Sequence, residues 1–176
     1  MGYARVEKGE ANEAIPLLEQ AVLRMRQSGY HRLDGAYTIF LGEAQLLRGH
    51  LDTARDLAFR GLTLVSEEKY RAGVGWAQHT LGRIALAEGA MVEAETRLHD
   101  ALATFISMQA RFEMGRTHLA LSELADFQDN RERVAVHLTE AHHLFKTLHV
   151  PPYVTYTEQR AHDLGLSFSA PSTHHS

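Results

Sequence analysis

Twelve histidines and no cysteine give this 176-residue sequence its first chemical question, because imidazole is the side chain that binds transition metals and moves protons near neutral pH. They fall at His31, His50, His79, His99, His118, His137, His142, His143, His149, His162, His174 and His175, a scatter unlike a metal-binding tract. The densest group is His137, His142 and His143. Adjacent rings on a helix point about 100° apart, and His137 lies five residues before His142 rather than the four that stack two ligands on one face. These rings are read as facing solvent or a partner, and no metal is expected. The glycine pair in GVG, Gly73 to Gly75, raises phosphate binding, yet a phosphate cradle opens a helix after a strand or loop. Here the pair lies inside a helical pattern, where a kink or close helix packing is expected. The sequence contains no HExxH, GxxxxGK[ST] or GxSxG arrangement. It is read as a non-enzyme with no catalytic residue and no cofactor.

Composition narrows the class. Hydrophobic residues make up 44% and charged residues 23%, ordinary for a globular chain with a core. The formal net charge of -4 argues against a nucleic-acid partner or an anionic membrane surface. No apolar run approaches the roughly 18 residues of a membrane span, and the lack of cysteine fits a reducing compartment. A cytoplasmic location is expected.

What must position these side chains is a repeat. Shifted by 40 residues, the sequence lines up as MGYARVEKGEANEA from Met1, LGEAQLLRGHLDTA from Leu41, LGRIALAEGAMVEA from Leu81 and LSELADFQDNRERV from Leu121. Gly2, Gly42, Gly82 and Ser122 form one column; Gly9, Gly49, Gly89 and Asp129 a second; Ala14, Ala54, Ala94 and Val134 a third. The agreement runs on through Leu18, Ala58, Leu98 and Leu138, and through Met25, Val65, Phe105 and Phe145. A fixed period of this kind marks a solenoid. Apolar residues recur at helical intervals on both sides of the second glycine, so each unit is two helices. That second glycine sits where the first helix must end in a left-handed turn. The first is expected to face the alanine twelve residues on. The spacing predicts helices over 1–8, 11–27, 31–48, 51–67, 70–88, 91–108, 111–128, 131–148 and 153–165, with Pro151 and Pro152 closing the fourth unit. The last helix fills the first-helix slot of a fifth unit and is read as a cap. The organisation is one domain over 1–165, with units near 1–29, 30–69, 70–109 and 110–150, a cap over 153–165, and a flexible tail over 166–176.

These columns resemble the tetratricopeptide repeat, whose pattern is Leu-Gly, a small turn residue, then alanine twelve after the first glycine. The spacing here is 40 rather than 34, and the aromatic near the start of the first helix is missing in most copies. The longer variant is similar to helical arrays of large bacterial signalling proteins, such as transcriptional regulators of the maltose-regulator type. The resemblance implies an all-α, right-handed α-α superhelix with a C-terminal capping helix, acting as a scaffold that binds a protein or peptide in signal transduction. Two alternatives stand beside it: a self-associating array, because Met1 aligns with the middle of a first helix and leaves apolar surface on unit one, and a small-molecule sensor.

In that family the first helices line a concave groove. Trp76, His79 and Arg83 share a side of the third unit's first helix. Their equivalents are Ala36, Ile39 and Glu43 in the second unit and Arg116, Leu119 and Glu123 in the fourth. These nine residues are the expected partner-binding surface, with Trp76 as an aromatic anchor and Arg83 and Arg116 as carboxylate partners. Glu43, Arg83 and Glu123 also form a column of alternating charge that could pair internally.

Overall fold

The structure, a computed structural model, describes residues 10–168. Among them all regular structure is helical: α1 (Ala11–Gln27), α2 (His31–Leu47), α3 (Leu51–Glu67), α4 (Arg71–Ala87), α5 (Met91–Ser107), α6 (Arg111–Phe127), α7 (Arg131–Thr147) and α8 (Pro151–Asp163). The helix expected over 1–8 and the tail from 169 onward lie outside the described residues. The chain divides into two compact units, the first ending at Met108 and the second beginning at Gln109, a boundary that falls between the third and fourth repeats. In the first, each helix packs on the next from α1 to α5, and α2 also touches α4, so the first helices of successive repeats are neighbours. In the second, α6 packs on α7 and α7 on α8. This is the all-α order of a helical repeat array, with the capping helix in its expected place.

The regularity is finer than the 40-residue period. Helices α1 to α7 are each 17 residues long and are separated by three-residue turns. In every turn the middle residue is left-handed: Gly29, Gly49, Lys69, Gly89, Gln109, Asp129 and His149, twenty residues apart. The turns at Gly29, Gly49, Lys69, Gly89, Asp129 and His149 close as Schellman motifs, in which the residue after the left-handed one bonds back across the last helical turn. Ala90 N–H donates to Ala85 C=O at 2.8 Å and Tyr70 N–H to Val65 C=O at 2.8 Å. Gly89, at φ 77°, does what its place in the repeat requires, whereas Lys69, at φ 51°, holds the same conformation with a Cβ. Pro151 and Pro152 correct one expectation. They occupy the first positions of α8 rather than closing the preceding repeat, because a residue at a helix start needs no intrahelical N–H donor.

The two helices of a repeat bury different amounts of surface. Second helices show one stripe, as in α5 with Ala94, Leu98, Ala101, Leu102 and Phe105. First helices are covered on several sides: α4 buries Leu81, Ile84 and Ala85 together with His79, Thr80, Gly73 and Gly75. Each large apolar side chain so enclosed contributes about 1.5–3 kcal/mol. Glycines set the approach within each pair. A Cβ on Gly75 would lie 2.6 Å from the Phe105 ring, and one on Gly115 would lie 2.8 Å from the Phe145 ring. The GVG segment is therefore close packing inside a continuous helix. The expected pairing of Gly42 with Ala54 holds, since a Cβ there would meet the Ala54 carbonyl at 3.0 Å. Gly82 differs. A Cβ there would meet Leu98 Cγ at 2.7 Å, so it makes room for the leucine one turn beyond Ala94.

Packing in the second unit continues past α8. Leu166 and Phe168 lie against the cluster of Leu119, Leu138, Ala141, Phe145 and Ala161. The Phe168 ring stacks on His142 at 4.1 Å, nearly parallel. The chain is thus held through Phe168, beyond residue 166 where a flexible tail was expected to begin. His142 is the repeat equivalent of Leu102, which is 8% exposed, and the aromatic ring gives the histidine comparable cover.

Candidate functional site

The nine residues expected to line a groove divide between the two units, and burial sorts them. In the first unit Ile39 is fully buried with Val65 and Ala77, and Ala36 is 4% exposed. Both belong to the core, because α2 is covered by α1, α3 and α4. His79 is buried as well. In the second unit Leu119 packs in the core cluster described above. Arg116 is buried and donates from Nη1 to Glu113 Oε2 at 3.1 Å, one turn back on α6. It is an internal ion-pair member, not an open carboxylate partner. Glu123 is half-buried.

Trp76, Glu43 and Arg83 remain, all in the first unit, on the neighbouring helices α2 and α4. Trp76 is half-buried in an aromatic cluster: Phe40 lies 5.1 Å from it and Tyr70 5.7 Å, the latter edge-on. Tyr37 meets Phe40 edge-on at 6.4 Å, and the Arg32 guanidinium sits 5.3 Å from the Tyr70 ring. The indole Nε1 is enclosed and has no hydrogen-bond partner among the described residues. An enclosed donor left in this way costs about 1–3 kcal/mol.

Seven residues further along α4, Arg83 donates from Nη1 to Glu43 Oε1 at 2.6 Å. One rung of the expected charge column therefore exists, and it is asymmetric. The Glu43 side chain is 3% exposed and that of Arg83 is 26% exposed. The carboxylate thus acts as a buried anchor for the more exposed guanidinium. Nε and Nη2 of Arg83 engage no described residue, and a guanidinium offers five donors in a planar fork. Such a group, oriented in advance with donors unspent, suits a carboxylate or phosphate. Seven residues of helix rise about 10.5 Å and rotate by nearly two whole turns. Trp76 and Arg83 therefore present an aromatic face and a cation on one side of α4, about 10 Å apart.

Two other features of the first unit escaped the sequence reading. Arg55 on α3 donates from Nε to Glu88 Oε1 at 3.1 Å and from Nη1 to Glu93 Oε1 at 3.2 Å, with a further close contact between Nη2 and Glu88 Oε2. The hydrogen bonds that Arg55 donates to Glu88, reinforced by those to Glu93, raise the Arg55 pKa above its already high ordinary value. This clasp ties α3 to the turn after α4, through Glu88, and to the first turn of α5, through Glu93. A depression of about 300 Å³ is lined by Ser66, Lys69, Arg71, Val74 and Thr104. In the second unit His118 and His137 lie 3.1 Å apart at their Nδ1 atoms. All three arise from contacts between helices, which a scan for local motifs does not see.

No family model matches the chain, and no curated protein matches it. No helix among the described residues is long and apolar enough to cross a membrane.

Proposed function

We propose that this chain is a non-enzymatic interaction module that binds a protein segment along the first helices of its first unit, in the manner of a scaffold within a signalling protein. The observation that supports it is Arg83, anchored through one nitrogen on the buried Glu43 and open at the others, two helical turns from Trp76. A segment in the extended polyproline II conformation advances about 3.1 Å per residue and brings every third side chain to the same face. The spacing of about 10 Å therefore fits a segment with an apolar side chain three residues from a carboxylate. The apolar group would lie against the exposed part of Trp76 and the carboxylate would accept from Nε and Nη2 of Arg83. Aromatic and arginine side chains are the usual centres of binding energy in such surfaces.

Trp76 is the chain's one tryptophan, so its emission reports directly on occupancy. A library of extended peptides scanned for the spacing between apolar and acidic residues should show best binding at a separation of three. Arg83→Gln should weaken binding at least tenfold with helical circular dichroism unchanged. Equal binding of peptides lacking an acid, or equal binding by Arg83→Gln, would refute this reading.

A further inference from the structure

The His118 and His137 rings approach each other across the α6 and α7 pair with Nδ1 to Nδ1 at 3.1 Å, centroids 5.4 Å apart and planes inclined by 37°. Both rings are half-buried and therefore reachable from solvent. Their juxtaposition belongs to the fold and not to a chance rotamer. Forty residues earlier, the equivalent positions Gln78 and Arg97 also bond across their helix pair, from Arg97 Nη1 to Gln78 Oε1 at 3.0 Å. In the second repeat the same two positions are Thr38 and Leu57, and Thr38 turns its hydroxyl back to Asp34. The repeat thus supplies a fixed contact point between first and second helix, and in the fourth repeat both side chains at that point are imidazoles.

We infer that His118 and His137 form a two-nitrogen clasp for a divalent transition-metal ion. An imidazole nitrogen binds such an ion at about 2.0–2.1 Å. Two nitrogens 3.1 Å apart then subtend about 98° at the metal, between the octahedral and tetrahedral values. In the metal-free pair one Nδ1 carries the shared proton and the other accepts it. Metal binding needs both Nδ1 lone pairs, so the donor ring moves its proton to Nε2, giving it up at one nitrogen and regaining it from water at the other. Both rings stay neutral and the ion replaces the proton between them. Among the described residues no group of three or more histidine, cysteine, aspartate or glutamate side chains assembles around an ion. Water or a ligand from outside these residues therefore completes the coordination. The clasp selects nitrogen-seeking ions, with Cu²⁺ bound more tightly than Zn²⁺ and Mg²⁺ excluded.

Calorimetric titration of the whole chain with CuSO₄ and ZnCl₂ tests the clasp against the other histidines. The expected result is a site that weakens at least tenfold in both His118→Gln and His137→Gln, persists in His50→Gln and shows no response to MgCl₂. A second measurement needs no substitution. Diethylpyrocarbonate modification of the unaltered protein, mapped by mass spectrometry, should find His118 and His137 protected by Zn²⁺ while His50 and His99 stay reactive. Equal affinity in the two variants, or equal modification of His118 and His137 with and without Zn²⁺, would overturn the inference.

Discussion

The tightest test of how these helix pairs are built is Gly75→Ala. Alanine is favoured over glycine in a helix interior by about 1 kcal/mol, so helix propensity alone predicts a gain in stability. The structure predicts the opposite sign. The new Cβ would lie 2.6, 2.9 and 3.2 Å from three atoms of the Phe105 ring, where carbon atoms at rest need about 3.5–4.0 Å. Phe105 is 1% exposed, so its ring has nowhere to withdraw without moving α5. Overpacking of this kind costs about 1–3 kcal/mol, and three simultaneous contacts place it at the upper end. The net expectation is a loss of about 2 kcal/mol, read by urea denaturation. Phe105→Leu removes the ring atoms that clash, so the double variant should be far less unstable than the two single losses combined, with a coupling of about 1–2 kcal/mol. A Gly75→Ala protein that is more stable than the parent, or one whose loss adds to that of Phe105→Leu, would show that Phe105 does not set the distance between α4 and α5.

Further outcomes follow from the turns and from the Arg55 ion pairs. Lys69→Gly relieves a left-handed conformation that costs a side-chain-bearing residue about 1–2 kcal/mol, against about 0.5–1 kcal/mol of added unfolded-state freedom. It should stabilise by up to about 1 kcal/mol in urea, and the same change at Asp129 should gain less, since aspartate accepts that conformation more readily. Arg55→Gln should lose about 1 kcal/mol, less in high salt, because its partners are only partly screened from water. The Arg55 pKa is raised on folding, so its contribution is fully present below the ordinary arginine value and fades only above it; thermal unfolding between pH 7 and 10 should show no loss from this group.

Helices and turns were legible because the glycine and alanine columns mark the backbone's reversals directly. The observed ends fall within a residue or two of the expected ones, and the main discrepancy, at Pro151, comes from proline suiting a helix start as well as a stop. The candidate surface was less legible. A helical wheel shows which residues share a side of α2, but not that α1, α3 and α4 cover it together, and so Ala36 and Ile39 were assigned to a surface they do not reach. The pairing of Arg83 with Glu43 is legible because equivalent positions of neighbouring repeats carry opposite charge. Arg116 is not open because Glu113, three residues back on the same helix, takes its guanidinium. The histidine pair was overlooked because its members sit on different helices, where spacing along one helix carries no information.

The constant length of helix and turn means that contacts recur at constant separations along the chain. Residues 30 apart fit together, a glycine making room for a large side chain, as Gly35 with Val65, Gly75 with Phe105 and Gly115 with Phe145. Those 19 apart bond, as Gln78 with Arg97 and His118 with His137. First helices speak to each other at 40, as Glu43 does with Arg83. In genetic terms, each lesion has an address for its second-site suppressor. A selection for revertants of a damaged position 75 should return changes at 105, and one for position 43 should return changes at 83.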